Sequence, residues 1–199
     1  MALAHAASAF GKMIKEEVIV HHFTVQPKTW PAVDGEFFVL RTDIKGDFAG
    51  EVYLVVSPTD EPRISELLLP GSLVGQPEMR EAILLEVDNI LTAAMVTKYS
   101  EILQKQIIGD VPEAQTYQPE RLVAYFDAQH QQPNYVFTFA AELITLQSQL
   151  KLYIVGFFDE RFVQDVQEAI THPPRKKNEA AETYISKTTK GLFRKILPW

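Results

Sequence analysis

The segment from Glu78 to Ile107, EMREAILLEVDNILTAAMVTKYSEILQKQI, constrains this chain more than any other. It runs 30 residues without Gly or Pro, and Ala, Leu and straight-chain side chains dominate it, so its intrinsic preference is helical. Pro77 stands just ahead, where proline suits a helix start, and Gly109 lies just beyond the end. Wound at about 3.6 residues per turn, Ile83, Val87, Ile90 and Ala94 make one apolar stripe, widened by Leu84, Leu91 and Ile102. That stripe is expected to lie on a sheet. A second face carries Ala82, Glu86, Asn89, Ala93 and Thr97, again at spacings of three and four. It is small and open, with one carboxylate and one carboxamide a turn apart, and it admits close approach by a partner's backbone. The ordinary reading of such a face is solvated surface, where Glu and Asn cost little.

The 199-residue chain is long enough to bury a full core around that helix as one domain, with room for an appendage. Hydrophobic content of 46% and charged content of 23% are those of an ordinary globule. The absence of Cys excludes disulfides and thiolate chemistry. The N-terminal MALAHAASAFGKMIKEE lacks a basic n-region and a long apolar run, and no stretch approaches the ~18 apolar residues of a membrane span, so a cytoplasmic location is expected. Net charge is −7, unevenly spread: residues 173–199 hold seven Lys/Arg against two Glu, and the rest holds twelve Lys/Arg against twenty-four Asp/Glu. An acidic body is a poor platform for nucleic acid, which is excluded as a partner.

In chain order, Ala2 to Lys15 predicts a short Ala-rich helix with Phe10, Met13 and Ile14 inward. Glu17 to Val25 alternates as a strand does. Glu36 to Ile44 and Gly50 to Val56 predict a hairpin around KGDFAG, and Asp60 is placed to cap a short helix over Glu61 to Leu69. After the long helix, Pro112 and Pro119 punctuate a loop, and Arg121 to Phe126 reads as a strand. Tyr135 to Leu146 and Leu150 to Phe157 predict a second hairpin, and Asp159 caps a helix from Glu160 to Ile170. The hairpins repeat: EVYLVVSPTDEPRI and KLYIVGFFDERFV align at an offset of about 100 residues, Tyr53 with Tyr153 and Val55 with Val155. Phe10-Gly11-Lys12-Met13-Ile14 likewise echoes Tyr99-Ser100-Glu101-Ile102-Leu103. The chain is thus a weak duplication of helix, strand, hairpin, helix. The fold class is α+β: a largely antiparallel sheet with long helices packed on it, spanning residues 1–172, followed by a basic amphipathic tail over 173–199.

Leu85-Glu86-Val87-Asp88-Asn89-Ile90 resembles the E-x-x-N-I signature of the CheC/CheX/FliY family, phosphatases of the phosphorylated chemotaxis response regulator CheY. The family pattern is Asp or Ser, three residues, Glu, two residues, Asn, twenty-two residues, Pro. Glu86, Asn89 and Pro112 match it, while Ala82 stands where the family has Asp or Ser. The pseudo-twofold plan is also that of the family. In the duplicated register, counterparts of Glu86 and Asn89 fall at or before residue 1, so one site is expected, as in CheX rather than in two-site CheC. The resemblance to CheX also implies a homodimer.

The resemblance implies hydrolysis of the aspartyl phosphate on a CheY-like response regulator. The protein then needs no cofactor or metal of its own, because the Mg²⁺ belongs to the receiver. Asn89 would orient water, a task that suits a neutral amide able to donate and accept. Glu86 would contact a Lys of the regulator and fix register, and the short side chains of Ala82 and Ala93 would let the helix enter a shallow partner site. The rival is a non-catalytic adaptor or binding module of the same fold, which Ala82 favours and the intact Glu86, Asn89 and Pro112 oppose. Other chemistry is poorly supported. His5, His21, His22, His130 and His172 are scattered, and no glycine-rich phosphate loop or G-x-S-x-G occurs. Phe37, Phe38, Tyr53, Phe137, Phe139 and Tyr153 on the hairpins are expected in the core. The tail, with Tyr184, Ile185, Thr188, Leu192 and Ile196 on one face, is expected to cover protein surface rather than to contact a membrane.

Overall fold

The computed structural model describes residues 1–23 and 33–172, so the readings for the 173–199 tail and for the end of the first strand lie outside the described residues. In order, the elements are α1 (Ala2–Ile14), β1 (Val18–Phe23), β2 (Phe37–Gly46), β3 (Gly50–Val56), α2 (Glu61–Leu68), α3 (Pro77–Leu103), β4 (Ile107–Gly109), β5 (Glu113–Tyr117), α4 (Pro119–His130), β6 (Phe137–Thr145), β7 (Lys151–Phe158) and α5 (Glu160–Thr171). Seven strands form one sheet in the order β1-β6-β7-β3-β2-β4, with β5 also on β2, and all its pairings are antiparallel.

The two predicted hairpins are β2–β3 and β6–β7, and they meet back to back. Strand β3 pairs with β7 so that Leu54 faces Ile154, Tyr53 faces Val155 and Val55 faces Tyr153. Residues separated by the repeat offset therefore sit opposite one another at Leu54 and Ile154, which places a pseudo-twofold axis through that pair. The helices close alike as well. Lys15 and Gln104 each take left-handed backbone, at φ 61° and 54°, and the amides of Glu16 and Lys105 reach back to the carbonyls of Gly11 and Ser100. Such an end normally recruits Gly, so the shared choice of a long side chain is a second mark of duplication.

Alternation along the central strands builds two cores. One face of the sheet, with Leu40, Ile44, Val52, Leu54, Leu152 and Ile154, is covered by α1 and α3. The other, with Phe37, Val39, Tyr53, Val55, Val155 and Phe157, is covered by α4 through Leu122 and Phe126. Here the sequence reading needs correction. Residues Arg121 to Phe126 are not a strand but the middle of α4, which starts with Pro119 at its first turn. Leu122 and Phe126, one helical turn apart, are its two fully buried side chains, and that spacing is the helical signal. The Pro-punctuated loop ahead of it is also structured: β4 and β5 are one edge strand on β2, broken in the middle. Of the hairpin aromatics, Phe37, Tyr53 and Tyr153 are buried as expected, whereas Phe137 is partly exposed at 38% beside Phe162. Asp159 caps α5 by accepting from the Phe162 amide at 3.2 Å. Asp60 sits at the start of α2 without capping it, its carboxylate taken up by Ser57 at 2.7 Å and by Arg63 at 3.1 Å.

The break in the edge strand has a backbone cause. Ile44 pairs with Gly109 and Arg41 with Glu113, so Asp110, Val111 and Pro112 oppose only Thr42 and Asp43. One strand carries an extra residue, and proline, which has no amide to donate, occupies the bulge. Upstream, Gly46 turns the chain at φ 128°, and a Cβ there would lie 2.1 Å from the Gln106 carbonyl oxygen. Gly46→Ala is therefore expected to cost about 2 kcal/mol or more in a urea unfolding curve. Gly71→Ala, with nothing within 4 Å of the added methyl, serves as the control and is expected to stay within about 1 kcal/mol.

Candidate functional site

Helix α3 runs unbroken from Pro77 to Leu103, with Pro77 in its first turn and Glu78 favourably placed against the helix dipole. Its start is fixed by a two-pronged ion pair across to α2. Arg80 Nε donates to Glu61 Oε1 at 2.8 Å while an Arg80 terminal nitrogen donates to Glu61 Oε2. Glu61 is buried, and this pair sets the axial position of the helix where Ala82 stands.

At about 100° per residue, Ala82, Glu86, Asn89 and Ala93 fall within an arc of roughly 60°. The structure places them outward: Ala82, Asn89 and Ala93 are exposed and Glu86 is half-buried. The buried side of α3 is Leu84, Val87, Leu91 and Met95, on the opposite side of the cylinder. The apolar stripe expected from the sequence is thus corrected by about one residue. Val87 is buried as expected, but Ile83 and Ile90 are only partly covered. The physical reason is that α3 is apolar around much of its circumference and packs on α1 as well as on the sheet, so periodicity alone leaves its rotation open.

Two polar residues lie in the buried stripe, and neither was singled out from the sequence. Asp88 and Thr92, one turn apart, are 1% and 3% exposed. Thr42 of β2, itself buried, donates through Oγ1 to Asp88 Oδ2 at 2.6 Å. Asp88 Oδ1 and Thr92 Oγ1 have no hydrogen-bond partner among the described residues. Strand β4 closes over them: a methyl added to Gly109 would sit 3.1 Å from Thr92 Cγ2 and 3.4 Å from Thr42 Cγ2. Burial pushes the Asp88 carboxyl up to about 7, against the smaller opposing pull of the Thr42 hydroxyl. The distant Pro112 now has a structural link to Asn89, because the bulge it occupies and the anchor under α3 share Thr42 of β2.

A carboxyl whose acidity is weakened on folding binds its proton in the folded state over a pH range where the unfolded chain has lost it. The contribution of Asp88 to stability therefore falls as pH rises from about 4 to about 7 and then levels. Asp88→Asn keeps an acceptor for Thr42 and removes the titration. It is expected to cut the loss of unfolding free energy between pH 5 and pH 8 by about 2–3 kcal/mol relative to the unaltered chain, read from paired urea curves at the two pH values.

The comparisons with known proteins agree with this architecture. No protein-family model matches the chain, and no curated protein matches it in sequence. Solved structures do match. FliY of Thermotoga maritima superposes with a TM-score of 0.59 at 16% identity, covering 87% of this chain and 92% of its own. CheX of Desulfovibrio desulfuricans gives 0.55 at 11% identity, over 79% of this chain and 96% of its own. CheX of Borrelia burgdorferi, solved as a CheX–CheY–BeF3–Mg²⁺ complex, gives 0.55 at 13% identity, over 80% of this chain and 96% of its own. The chain has the fold of the CheC/CheX/FliY chemotaxis proteins.

Proposed function

We propose that this protein hydrolyses the aspartyl phosphate of a CheY-like receiver domain. The observation that carries the reading is the outward face of α3, where exposed Asn89 and half-buried Glu86 sit a turn apart between exposed Ala82 and Ala93. A shared fold with a CheX that binds CheY supports the choice of partner. The receiver holds the Mg²⁺ that neutralises the phosphoryl oxygens. Asn89 supplies a positioned water: its carboxamide oxygen accepts one O–H and turns the water's lone pair toward phosphorus. The water oxygen bonds to phosphorus as the bond from phosphorus to the aspartyl oxygen breaks. The receiver regains its carboxylate, and the water's proton leaves with inorganic phosphate. Glu86 binds a cation of the receiver and fixes register. With methyl groups at 82 and 93, the helix presents little bulk beside Asn89, so the amide reaches a recessed phosphoryl group.

A binding module without catalysis is the second reading, and Ala82 favours it, since a methyl group there cannot make the polar contact of an Asp or Ser. Turnover and affinity separate the two. Asn89→Ala is expected to leave the fold within about 0.5 kcal/mol, because the site is exposed. It should slow phosphate release from a phosphorylated receiver about a hundredfold with affinity nearly unchanged. Glu86→Lys should instead weaken binding, by roughly tenfold or more. Wild-type turnover in Asn89→Ala would remove the catalytic role. A wild type that binds the phosphorylated receiver without hastening phosphate loss is the binding module.

A further inference from the structure

Asp88 lies between Glu86 and Asn89 in sequence but on the buried flank of the helix, with its carboxyl bonded to Thr42 of β2. A residue there is ordinarily apolar, as Leu84, Leu91 and Met95 are one and two turns away. As an acid, the side chain spends one oxygen on Thr42 and leaves the other buried and bare. The neutral form loses little in that setting. Among the described residues the ionised form has a single donor and no cation, and burying a charge so poorly served is costly.

No charge on the surrounding elements offsets it. On β2, Arg41, Asp43 and Lys45 alternate to the other face of the sheet, where Arg41 holds Glu51 at 2.6 Å. On α1, His5 and Lys12 are exposed. On α2, Glu61 is taken by Arg80, and Arg63 pairs with Asp60. Strand β4 carries no charged residue, Asp110 beyond it pairs with Lys45, and Glu113 of β5 lies against Arg41. On α5, Asp165 pairs with Lys105 at 2.8 Å. Among the described residues, burial and the Thr42 hydroxyl are the influences that bear on the Asp88 carboxyl.

We infer that Asp88 is a positioning residue for Asn89, a proton-dependent seat that holds α3 on β2 when neutral and releases it when ionised. The inference rests on the phosphatase reading for its effect on turnover but not for the seat itself. Asp88 is 1% exposed and Gly109 packs close to Thr42 and Thr92, so solvating the ionised carboxylate calls for α3 to lift from β2 or for β4 to swing away. Either motion disturbs the orientation of the neighbouring Asn89. The device makes the site most ordered at mildly acid pH.

The test uses the full chain and two readouts. The first is amide hydrogen exchange in α3 over residues 84–96, referenced to α4 in the same molecule, which cancels the intrinsic rise of exchange with pH. Between pH 6 and pH 8, opening of α3 relative to α4 should rise about tenfold in the unaltered protein and stay flat in Asp88→Asn. Thr42→Val removes the one donor to the carboxylate, and α3 should open more at pH 8 than in the unaltered protein while matching it at pH 5. The second readout is phosphate release across a range of concentrations of a phosphorylated CheY-like receiver, as the ratio of the unaltered protein to Asp88→Asn at each pH. That ratio should fall between pH 6 and pH 8 in kcat with KM little changed. Equal exchange of α3 in both proteins at both pH values overturns the seat. A pH-dependent seat with a constant turnover ratio overturns the positioning role. If neither protein hastens phosphate loss, the phosphatase reading falls and exchange alone decides the seat.

Discussion

The pairing of β3 with β7 is the constraint on which the rest of this molecule depends. All seven residues of β3 and seven of the eight in β7 are buried, so the two strands read as nearly continuous apolar runs with core on both faces. Their register places the two copies of the hairpin about one axis, and each neighbouring element is then positioned by its own copy. Gly50 and Gly156 belong to this arrangement. The Phe158 and Phe139 rings lie so close that a Cβ at either glycine would meet them at 2.5 Å and 2.2 Å. Phe158 in turn stacks on Phe162 of α5 at 4.3 Å and meets Tyr99 of α3 edge-on at 6.0 Å. An aromatic chain thereby ties the sheet to the C-terminal turn of the long helix.

The copies have diverged where they meet the site. In the first half the helix before the sheet is α1, with 13 residues; in the second it is α3, with 27. The extra turns of α3 carry the Glu86–Asn89 face beyond the part of the helix that echoes α1, while the shared closing turns hold its far end. Arg80 and Glu61 fix the near end. A helix clamped at both ends by different means, with an acid beneath its middle, has one region free to respond to conditions.

Much of this was legible in the residues. Period-two alternation gave both hairpins within a residue or two, and the repeat offset exposed the duplication, while the β3–β7 junction between the copies came only with the structure. The outward placement of Ala82, Asn89 and Ala93 followed from spacing. What was misread has identifiable causes. Glu113–Tyr117 is polar and earns its place as a strand only through backbone bonds to β2, which leave no hydrophobic pattern. Helix α4 has just two fully buried side chains, too few to outweigh the Val and Tyr that suggest a strand. The rotation of α3 was missed because the decisive residue, Asp88, is a carboxylic acid in a core position. Any rule that sends charge outward turns that helix the wrong way, and only Thr42, 46 residues earlier, explains its burial.

The bulge at Pro112 has a bearing on evolution as well as on folding. A regular edge strand offers a ladder of amides and carbonyls that any extended segment can join, and contacts of that kind are indifferent to side-chain identity. Here the edge nearest α3 is kinked and carries a residue with no amide. A visiting domain meets side chains at this flank instead of open backbone. Recognition at this flank is thereby written in replaceable letters, because side chains can change one codon at a time while the scaffold beneath stays as it is.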